Sequence, residues 1–232
     1  MARQIRSLGG QALLLPGLAL RMPESPAQTR LALEQALQGD VLIFVSPSAV
    51  RFAAQLSPLK THARIFAVGR ATAKALQRHG LIAIVPTSPQ NSEGLLALPA
   101  LAALNGQCVA LIGAPGGRDL LRHTLQARGA IVREMHVYRR VAPRLDRRHL
   151  APLRALPDTA RMLLSSGEAL RNLQQSLPGD VWQNLLRAEL IVSSARLAEA
   201  ARAAGFTRIT QAISALAKDM LAAAQPPCVD SG

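Results

Sequence analysis

Apolar and polar positions along the chain follow two alternating patterns. Short continuous apolar runs are typical of buried strands, and apolar residues three or four positions apart are typical of helices. A predicted helix follows most of the predicted strands, which favours βαβ units with parallel sheets and right-handed crossovers. Strands are predicted at 40–46, 63–69, 81–86, 107–113, 130–140, 160–166, 188–194 and 206–211, and a closing helix at 212–224.

The chain also carries the same pattern twice. Residues 44–52 resemble residues 164–172, so that Ser46 aligns with Ser166 at an offset of 120. Self-similarity at a long fixed offset indicates a duplicated module, and therefore two similar lobes. Because clefts between domains are favoured binding sites, we expect a ligand site between the lobes. Two further pairs of segments repeat: 125–138 with 5–18, again at 120, and 67–81 with 191–206 at 124.

The repeat predicts where the two lobes begin and end. Residues 22–137 hold every part of the module and are predicted to form one contiguous lobe. The other lobe is predicted to combine 1–18 with 142–232, with two strand crossings joining the lobes. The counterpart of the predicted strand 107–113 would precede Met1. We therefore expect the discontinuous lobe to lack its N-terminal strand.

Composition narrows the function classes. At 49% hydrophobic and 18% charged residues, the chain is too apolar for global disorder. It has no apolar run long enough to span a bilayer, and its two cysteines form no CxxC pattern, so we expect a cytoplasmic protein without a disulfide framework. A net charge of +13 favours polyanionic ligands: nucleic acid, anionic lipid or a polycarboxylate.

Serines occupy two turns where a predicted strand ends and a predicted helix begins. Ser46 and Ser48 flank Pro47 in the first turn, and Ser165 and Ser166 occupy the matching turn of the second copy. A serine at this position caps the helix, and the outward-facing N–H groups suit a carboxylate or a phosphate. Helix capping alone also explains these residues, so both interpretations stay open at this point.

Two other turns carry candidate anion ligands. Thr72 could cap a helix or bind an anion, and Arg70 could pair with a carboxylate. The loop from Gly113 to Arg118 is rich in glycine but lacks the Gly-Lys-Ser/Thr of a phosphate loop, which excludes nucleotide hydrolysis.

Tyr138 is the single tyrosine, and it lies at the predicted junction of the lobes. A phenol can donate a hydrogen bond or a proton to a leaving oxygen, although packing alone also explains a lone tyrosine. The five histidines show no metal-ligand spacing, so no metal site is predicted.

Six motifs follow one another along the chain: FVSPSAV, VGRATAKAL, PTSPQNSEGLL, LIGAPGGRDLL, LLSSGEALRNL and IVSSARLAEAARAAGF. In this order they resemble the uroporphyrinogen-III synthase family, and the resemblance covers almost the whole chain, from residue 5 to about 220. Each motif is weak alone, but the order and spacing together are specific. The resemblance implies two flavodoxin-like α/β lobes with parallel sheets, joined by a two-stranded connector, with one lobe built from both chain ends.

The resemblance also implies a reaction. The family closes linear hydroxymethylbilane into a ring with loss of water and inverts ring D through a spiro intermediate, without a cofactor. The substrate carries eight carboxylates, which suits a basic cleft lined by helix N-termini. A cytoplasmic monomer is expected, with no nucleic-acid or membrane partner and with transient handover of the substrate from hydroxymethylbilane synthase.

Site residues follow from the turns and the resemblance together. Tyr138 matches the family's cleft tyrosine and is the expected catalytic residue; Thr72 matches its cleft threonine. The family's opening strand, which ends in a Thr-Arg-Pro-like turn, has no match here, and Ser194 stands where a threonine-containing turn is common. The expected substrate contacts are Ser46, Pro47, Ser48, Arg70, Thr72, Ser92, Glu93, Gly113, Arg118, Ser165, Ser166, Ser193 and Ser194.

Two other functions compete with this interpretation. A nucleic-acid binder would explain the positive charge, but no helix-turn-helix pair is evident and aromatic residues make up only 3% of the chain. A non-catalytic two-lobe sensor of a small molecule could use the same cleft.

Overall fold

The structure, a computed structural model, describes residues 1–116 and 119–225. The chain divides into two compact units. Unit 1 comprises Met1–Ala19 and Val141–Gly232, and unit 2 comprises Leu20–Arg140. The chain passes from one unit to the other twice, at β1 (Ala19–Arg21) and β6 (Arg139–Val141), and these two strands form a separate two-stranded sheet.

Unit 2 contains a parallel sheet of four strands. They are β2 (Val41–Phe44), β3 (Arg64–Ala67), β4 (Cys108–Gly113) and β5 (Ile131–His136), in the order β3-β2-β4-β5. All four residues of β2 are apolar and fully buried, because helices cover both faces of the sheet.

Alternation along β2 separates the two cores of unit 2. Leu42 and Phe44 face one apolar cluster, and Val41 and Ile43 face the other, as the two-residue period of a strand requires. The helices of unit 2 are α2 (Pro26–Ala36), α3 (Pro47–Leu56), α4 (Arg70–Gln77), α5 (Ser92–Leu96), a short 3-10 helix (Pro99–Leu101) and α6 (Asp119–Ala127).

Unit 1 contains a parallel sheet of three strands in its described residues. They are β7 (Arg161–Leu164), β8 (Glu189–Val192) and β9 (Ile209–Gln211), in that order. Its core includes an edge-to-face pair of Trp182 and Phe206, with ring centroids 5.6 Å apart. The helices of unit 1 are α1 (Ala2–Ser7), α7 (Arg147–Arg154), α8 (Gly167–Ser176), α9 (Gly179–Leu186), α10 (Ala195–Ala203) and α11 (Ala217–Ala223).

The duplicated module is visible in these elements. Helices α3 and α8 begin and end 120 residues apart, and α1 and α6 end 120 residues apart. Gly9 and Gly129 each follow the latter pair with φ near +80°. The second offset of 124 was wrong by one residue, because β3 and β8 begin 125 residues apart and so do the N-cap residues Gly69 and Ser194.

Two predicted strands of unit 2 differ from the structure. The segment 81–86 forms only an isolated bridge, in which Ile84 pairs with Phe66, and Pro86 has no N–H to extend it. The single strand predicted at 130–140 is two strands, β5 and β6. The break falls at Val137 and Tyr138, which are both buried and lie between the two strands.

Two predictions for unit 1 also needed correction. No helix is predicted between the strands at 130–140 and 160–166, but this segment contains α7, which begins with a capping box between Asp146 and His149. The closing helix begins at Ala217 instead of residue 212.

The described residues include no helix that is both long enough and apolar enough to cross a bilayer.

Candidate functional site

The polar side chains of Ser46 and Tyr138 lie at the carboxyl edge of the unit 2 sheet. Ser46 follows β2, Gly113 ends β4, and Tyr138 follows β5. Parallel strands direct their carboxyl ends to one edge, which is where open α/β sheets bind ligands. The Val137 N–H donates to the Gly113 carbonyl oxygen at 2.8 Å, so the segment that carries Tyr138 is fixed beside β4.

Ser46 and Tyr138 meet at this edge although 92 residues separate them in sequence. The Ser46 Oγ lies 3.3 Å from the Tyr138 hydroxyl oxygen, and either atom can be the donor. Ser46 is also the N-cap of α3, where its Oγ accepts the Ala49 N–H at 3.1 Å. Tyr138 is only 8% exposed. The phenol is therefore a largely buried group with a defined polar partner.

The ring of Tyr138 stacks on Phe52, a buried residue of α3. The two ring centroids are 5.2 Å apart and the ring planes differ by 20°. The exposed Arg51 guanidinium lies over the other ring of this pair, 4.8 Å from the Phe52 centroid. Aromatic stacking and a cation over an aromatic face each add stability beyond buried area. The stack therefore restrains the plane of the tyrosine.

In the turn after β3, Thr72 is not the helix cap, which is one of the two roles that the sequence allows for it. Gly69 is the N-cap of α4, and Thr72, at 3% exposed, lies within the first turn of the helix. Arg70 is exposed, but its backbone N–H donates to the Gln90 side-chain Oε1 at 3.1 Å. Gln90 thus occupies the N-terminus of α4. No sequence signal marks this glutamine.

The polar turn before α5 is capped by Asn91. Its Oδ1 accepts the Gly94 N–H at 2.9 Å, and the predicted residues Ser92 and Glu93 form the first turn of the helix. Asparagine is a favoured N-cap, so this cap could have been found in the sequence. Gly94 lies under the loop, since a Cβ there would be 1.8 Å from the Pro89 carbonyl oxygen.

Unit 1 carries serines at the carboxyl edge of its own sheet. After β7, the Ser166 Oγ caps α8 by accepting the Ala169 N–H at 3.3 Å. After β8, the Ser194 Oγ caps α10 by accepting the Leu197 N–H at 3.4 Å. Ser165 is exposed and Ser193 is half-buried just before these caps. The predicted serines thus fall at two matched positions of this sheet.

Of the remaining predicted site residues, three lie in the described part of the chain and one does not. Pro47 and Ser48 lie in the first turn of α3. Gly113 is buried at the end of β4. Arg118 lies outside the described residues.

Two arginines follow Tyr138 in the sequence. Arg139 Nε donates to the Met22 carbonyl oxygen at 3.3 Å, and its Nη1 is 3.7 Å from a Glu24 carboxylate oxygen. Arg140 Nη2 donates to the Pro115 carbonyl oxygen at 2.7 Å, in the loop after β4. Two positively charged side chains therefore begin the connecting strand β6, directly after Tyr138.

Two surface depressions of unit 2 lie elsewhere. One, of about 400 Å³, is lined by Arg70 and Lys74 of α4 and by Leu81–Ala83. The other, of about 410 Å³, lies beside Asp40, Arg64 and Gln107, next to the amino ends of the strands. Neither is lined by Ser46 or Tyr138, whose pairing is a close contact and not a cavity. Among the described residues, no group of three or more His, Cys, Asp or Glu side chains is placed to hold a metal ion.

Comparisons with known proteins agree with the fold and the motif order. A family model described as uroporphyrinogen-III synthase HemD matches residues 1–222. The chain is 32% identical to the Escherichia coli uroporphyrinogen-III synthase over 226 residues, covering 93% of this chain and 90% of that protein. It is 36% identical to the Salmonella typhimurium enzyme of the same name over 189 residues, covering 77% and 75%. A solved uroporphyrinogen-III synthetase from Helicobacter pylori shares the fold at a TM-score of 0.59 and 15% identity, covering 92% of this chain and 91% of that one.

Proposed function

This chain belongs to the uroporphyrinogen-III synthase family, and from that premise we propose how its own residues carry out the reaction. The activity is uroporphyrinogen-III synthesis, a cyclising lyase step of tetrapyrrole formation. The substrate is linear hydroxymethylbilane, and the product is the ring in which the last pyrrole, ring D, is inverted.

The reaction begins when water leaves the hydroxymethyl group. The C–O bond breaks, the oxygen takes a proton, and an azafulvene cation remains. The substituted carbon of ring D attacks this cation to give a spiro pyrrolenine, which fragments and closes again in the inverted sense. The main physical task is to fold the flexible chain so that inverting closure is faster than direct closure.

Tyr138 is the residue that we assign to the departure of water. Its phenol can donate a proton to the leaving hydroxyl group, as a positioned general acid does. The observation that carries this assignment is the contact between the Tyr138 and Ser46 hydroxyls at the carboxyl edge of the unit 2 sheet. The proton that ring D releases on closure restores the phenol, so no net proton is consumed.

Helix N-termini and cations are proposed to bind the substrate carboxylates. Backbone N–H groups at the start of α3, α8 and α10 follow the serine caps Ser46, Ser166 and Ser194. Such N-termini favour anions through unpaired N–H groups and the helix dipole. The net charge of +13 adds a general attraction for a ligand with eight carboxylates.

We further propose that the protein acts in the cytoplasm as a monomer that receives hydroxymethylbilane from its synthase and needs neither nucleic acid nor a membrane. The lobes are proposed at 22–137 and at 1–18 with 142–232. Size-exclusion chromatography with light scattering, with and without duplex DNA, tests the assembly: one species at the monomer mass is expected, and a dimer or a DNA complex would contradict it.

The reaction is tested by supplying hydroxymethylbilane and resolving the oxidised products into isomers I and III. An enzyme of this class enriches isomer III above the level in buffer. A ligand sensor or a nucleic-acid binder would leave only the isomer I that forms spontaneously, and that result would reject the proposal.

A further inference from the structure

We infer that Ser46 is a positioning residue for Tyr138, because its hydroxyl holds the phenol oxygen in the orientation needed for proton donation. The inference rests on the proposed role of Tyr138 and adds a second residue to it. The sequence predicts that Ser46 contacts the substrate directly. The inference gives Ser46 this supporting role instead.

The position of the Ser46 oxygen is fixed by its own helix. As N-cap of α3, Ser46 accepts the Ala49 N–H at 3.1 Å. Pro47 follows at the first helical position, where its restricted backbone favours the same start. A serine hydroxyl has one proton and two acceptor sites, so one acceptor site is used by the cap. The proton and the other acceptor site remain for Tyr138.

The direction of the hydrogen bond has a chemical consequence. If Ser46 donates to the Tyr138 oxygen, at 3.3 Å, the phenol proton is left free to point elsewhere. That proton is the one that the leaving hydroxyl group of the substrate takes up when the C–O bond breaks. The same serine proton then stabilises the phenolate that remains, since hydrogen bonds to a charged oxygen are stronger than neutral ones.

The ring is held independently of the hydroxyl. Phe52, at 6% exposed, stacks on the tyrosine ring with centroids 5.2 Å apart. Arg51 lies over the Phe52 ring at 4.8 Å. Phe52 therefore fixes the plane of the ring, and Ser46 fixes the hydroxyl at its end. Ser46 is the N-cap of α3 and Phe52 lies within the helix, so one helix positions both of these residues.

The second copy of the module shows that the cap does not require the phenol. Ser166 caps α8 in the same way, by accepting the Ala169 N–H. At the offset of 120, the residue equivalent to Tyr138 is Leu18, and the residue equivalent to Phe52 is Asn172. Unit 1 thus keeps the serine cap without a phenol or a stacked ring. The contact between Ser46 and Tyr138 is an addition to the cap in unit 2.

The first experiment observes the tyrosine directly. Tyr138 is the single tyrosine of the chain, so protein labelled with 13C-tyrosine gives one Cζ signal in the NMR spectrum. We expect Ser46→Ala to shift this signal by more than its line width, and Ser46→Thr, which keeps a hydroxyl, to return it towards the wild-type position. Ser166→Ala removes the matched cap in unit 1 and is expected to leave the signal in place.

The second experiment measures turnover. We expect Ser46→Ala to lower kcat about fivefold, the effect of losing one neutral hydrogen bond, with KM unchanged and with recovery in Ser46→Thr. Thr61→Val is the control for lost hydroxyl contacts. Its hydroxyl donates to the Leu37 carbonyl oxygen and accepts the Ala63 N–H near the amino ends of the strands, and kcat should stay within about twofold of wild type.

Three results would overturn the inference. One is a Ser46→Ala variant with the wild-type Cζ signal. Another is a variant with wild-type kcat. The third is a raised KM at unchanged kcat, which would make Ser46 a substrate ligand. Absence of isomer III from the wild-type protein would reject the proposed function instead, and the NMR comparison would still show whether Ser46 holds Tyr138.

Discussion

The side-chain Nδ2 of Asn172 donates a hydrogen bond to the carbonyl oxygen of Gly17 at 3.0 Å, which joins α8 to the N-terminal segment 155 residues away. The equivalent helix and the equivalent segment also meet in unit 2, where Phe52 of α3 stacks on Tyr138. In each copy of the module, the matched helix (α3 or α8) therefore contacts the equivalent distant segment. One copy uses a polar contact and the other an aromatic one.

Gly17 leaves no room at this contact. A Cβ built on Gly17 would lie 2.5 Å from the Ala169 Cβ. We expect Gly17→Ala to lower the free energy of unfolding by about 1–3 kcal/mol through overpacking. Chemical denaturation measures this, with Gly179→Ala as the matched control, since nothing lies within 4 Å of a Cβ built there. Equal stability of the two variants would mean that the N-terminal segment does not pack on α8.

The two sheets should respond differently to the same kind of substitution. Ile43, in the centre of the unit 2 sheet, is 0% exposed, whereas Leu163, its equivalent in β7, is only half-buried in a strand that pairs on one side. We expect Ile43→Ala to cost about 3–4 kcal/mol and Leu163→Ala about 1–2 kcal/mol in the free energy of unfolding. Similar costs would show that β7 is as enclosed as β2.

Glu189 should make the stability of unit 1 depend on pH. The Arg161 guanidinium, 2.9 Å away, and the Thr210 hydroxyl lower the pKa of the Glu189 carboxyl below its ordinary value of 4.5. Because the folded pKa is lowered, the ion pair stabilises the fold above pH 4.5, and this contribution is lost as the pH falls from there through the folded pKa.

The measurement is urea denaturation between pH 7 and pH 3. We expect Glu189→Gln to lower the free energy of unfolding at pH 7 by about 1 kcal/mol. The free energy of unfolding of this variant should also decrease less than that of wild type as the pH is lowered. Glu199→Gln, at an exposed position of α10, is the control and should change it by less than about 0.5 kcal/mol. A Glu189→Gln curve parallel to wild type would contradict this account.

Tyr138→Phe separates chemistry from packing. The phenyl ring keeps the stack on Phe52 and loses only the hydroxyl. We expect kcat to fall about hundredfold, the lower end of the usual range for general-acid effects. Calorimetric binding of uroporphyrinogen III without oxygen should stay close to wild type. An unchanged kcat would leave Tyr138 a packing residue.

Sequence patterns were sufficient to predict the α/β class with parallel sheets because buried parallel strands are short and apolar. The VLIF run of β2 and the serine that caps α3 are local signals, and both were found where predicted. The repeat added the correspondence of α3 with α8, since related helices keep their spacing. The family was also recognised correctly from the order of its motifs.

Contacts between distant segments could not be predicted in this way. Gln90 reaches the N-terminus of α4 through the path of a loop, which leaves no periodic signal. The pairing of Ser46 with Tyr138 depends on β4 lying between β2 and β5, and strand order is a property of the whole sheet. The repeat aligns 5–18 with 125–138, which contains β5, yet residues 10–16 form no strand, because a strand forms only beside a partner.

The most direct test of the account is the isomer ratio measured over a range of protein concentrations at fixed hydroxymethylbilane. Spontaneous closure competes with the catalysed reaction, so the fraction of isomer III should rise with protein concentration until it dominates the product. A fraction of isomer III that stays at the buffer level at every concentration would contradict it.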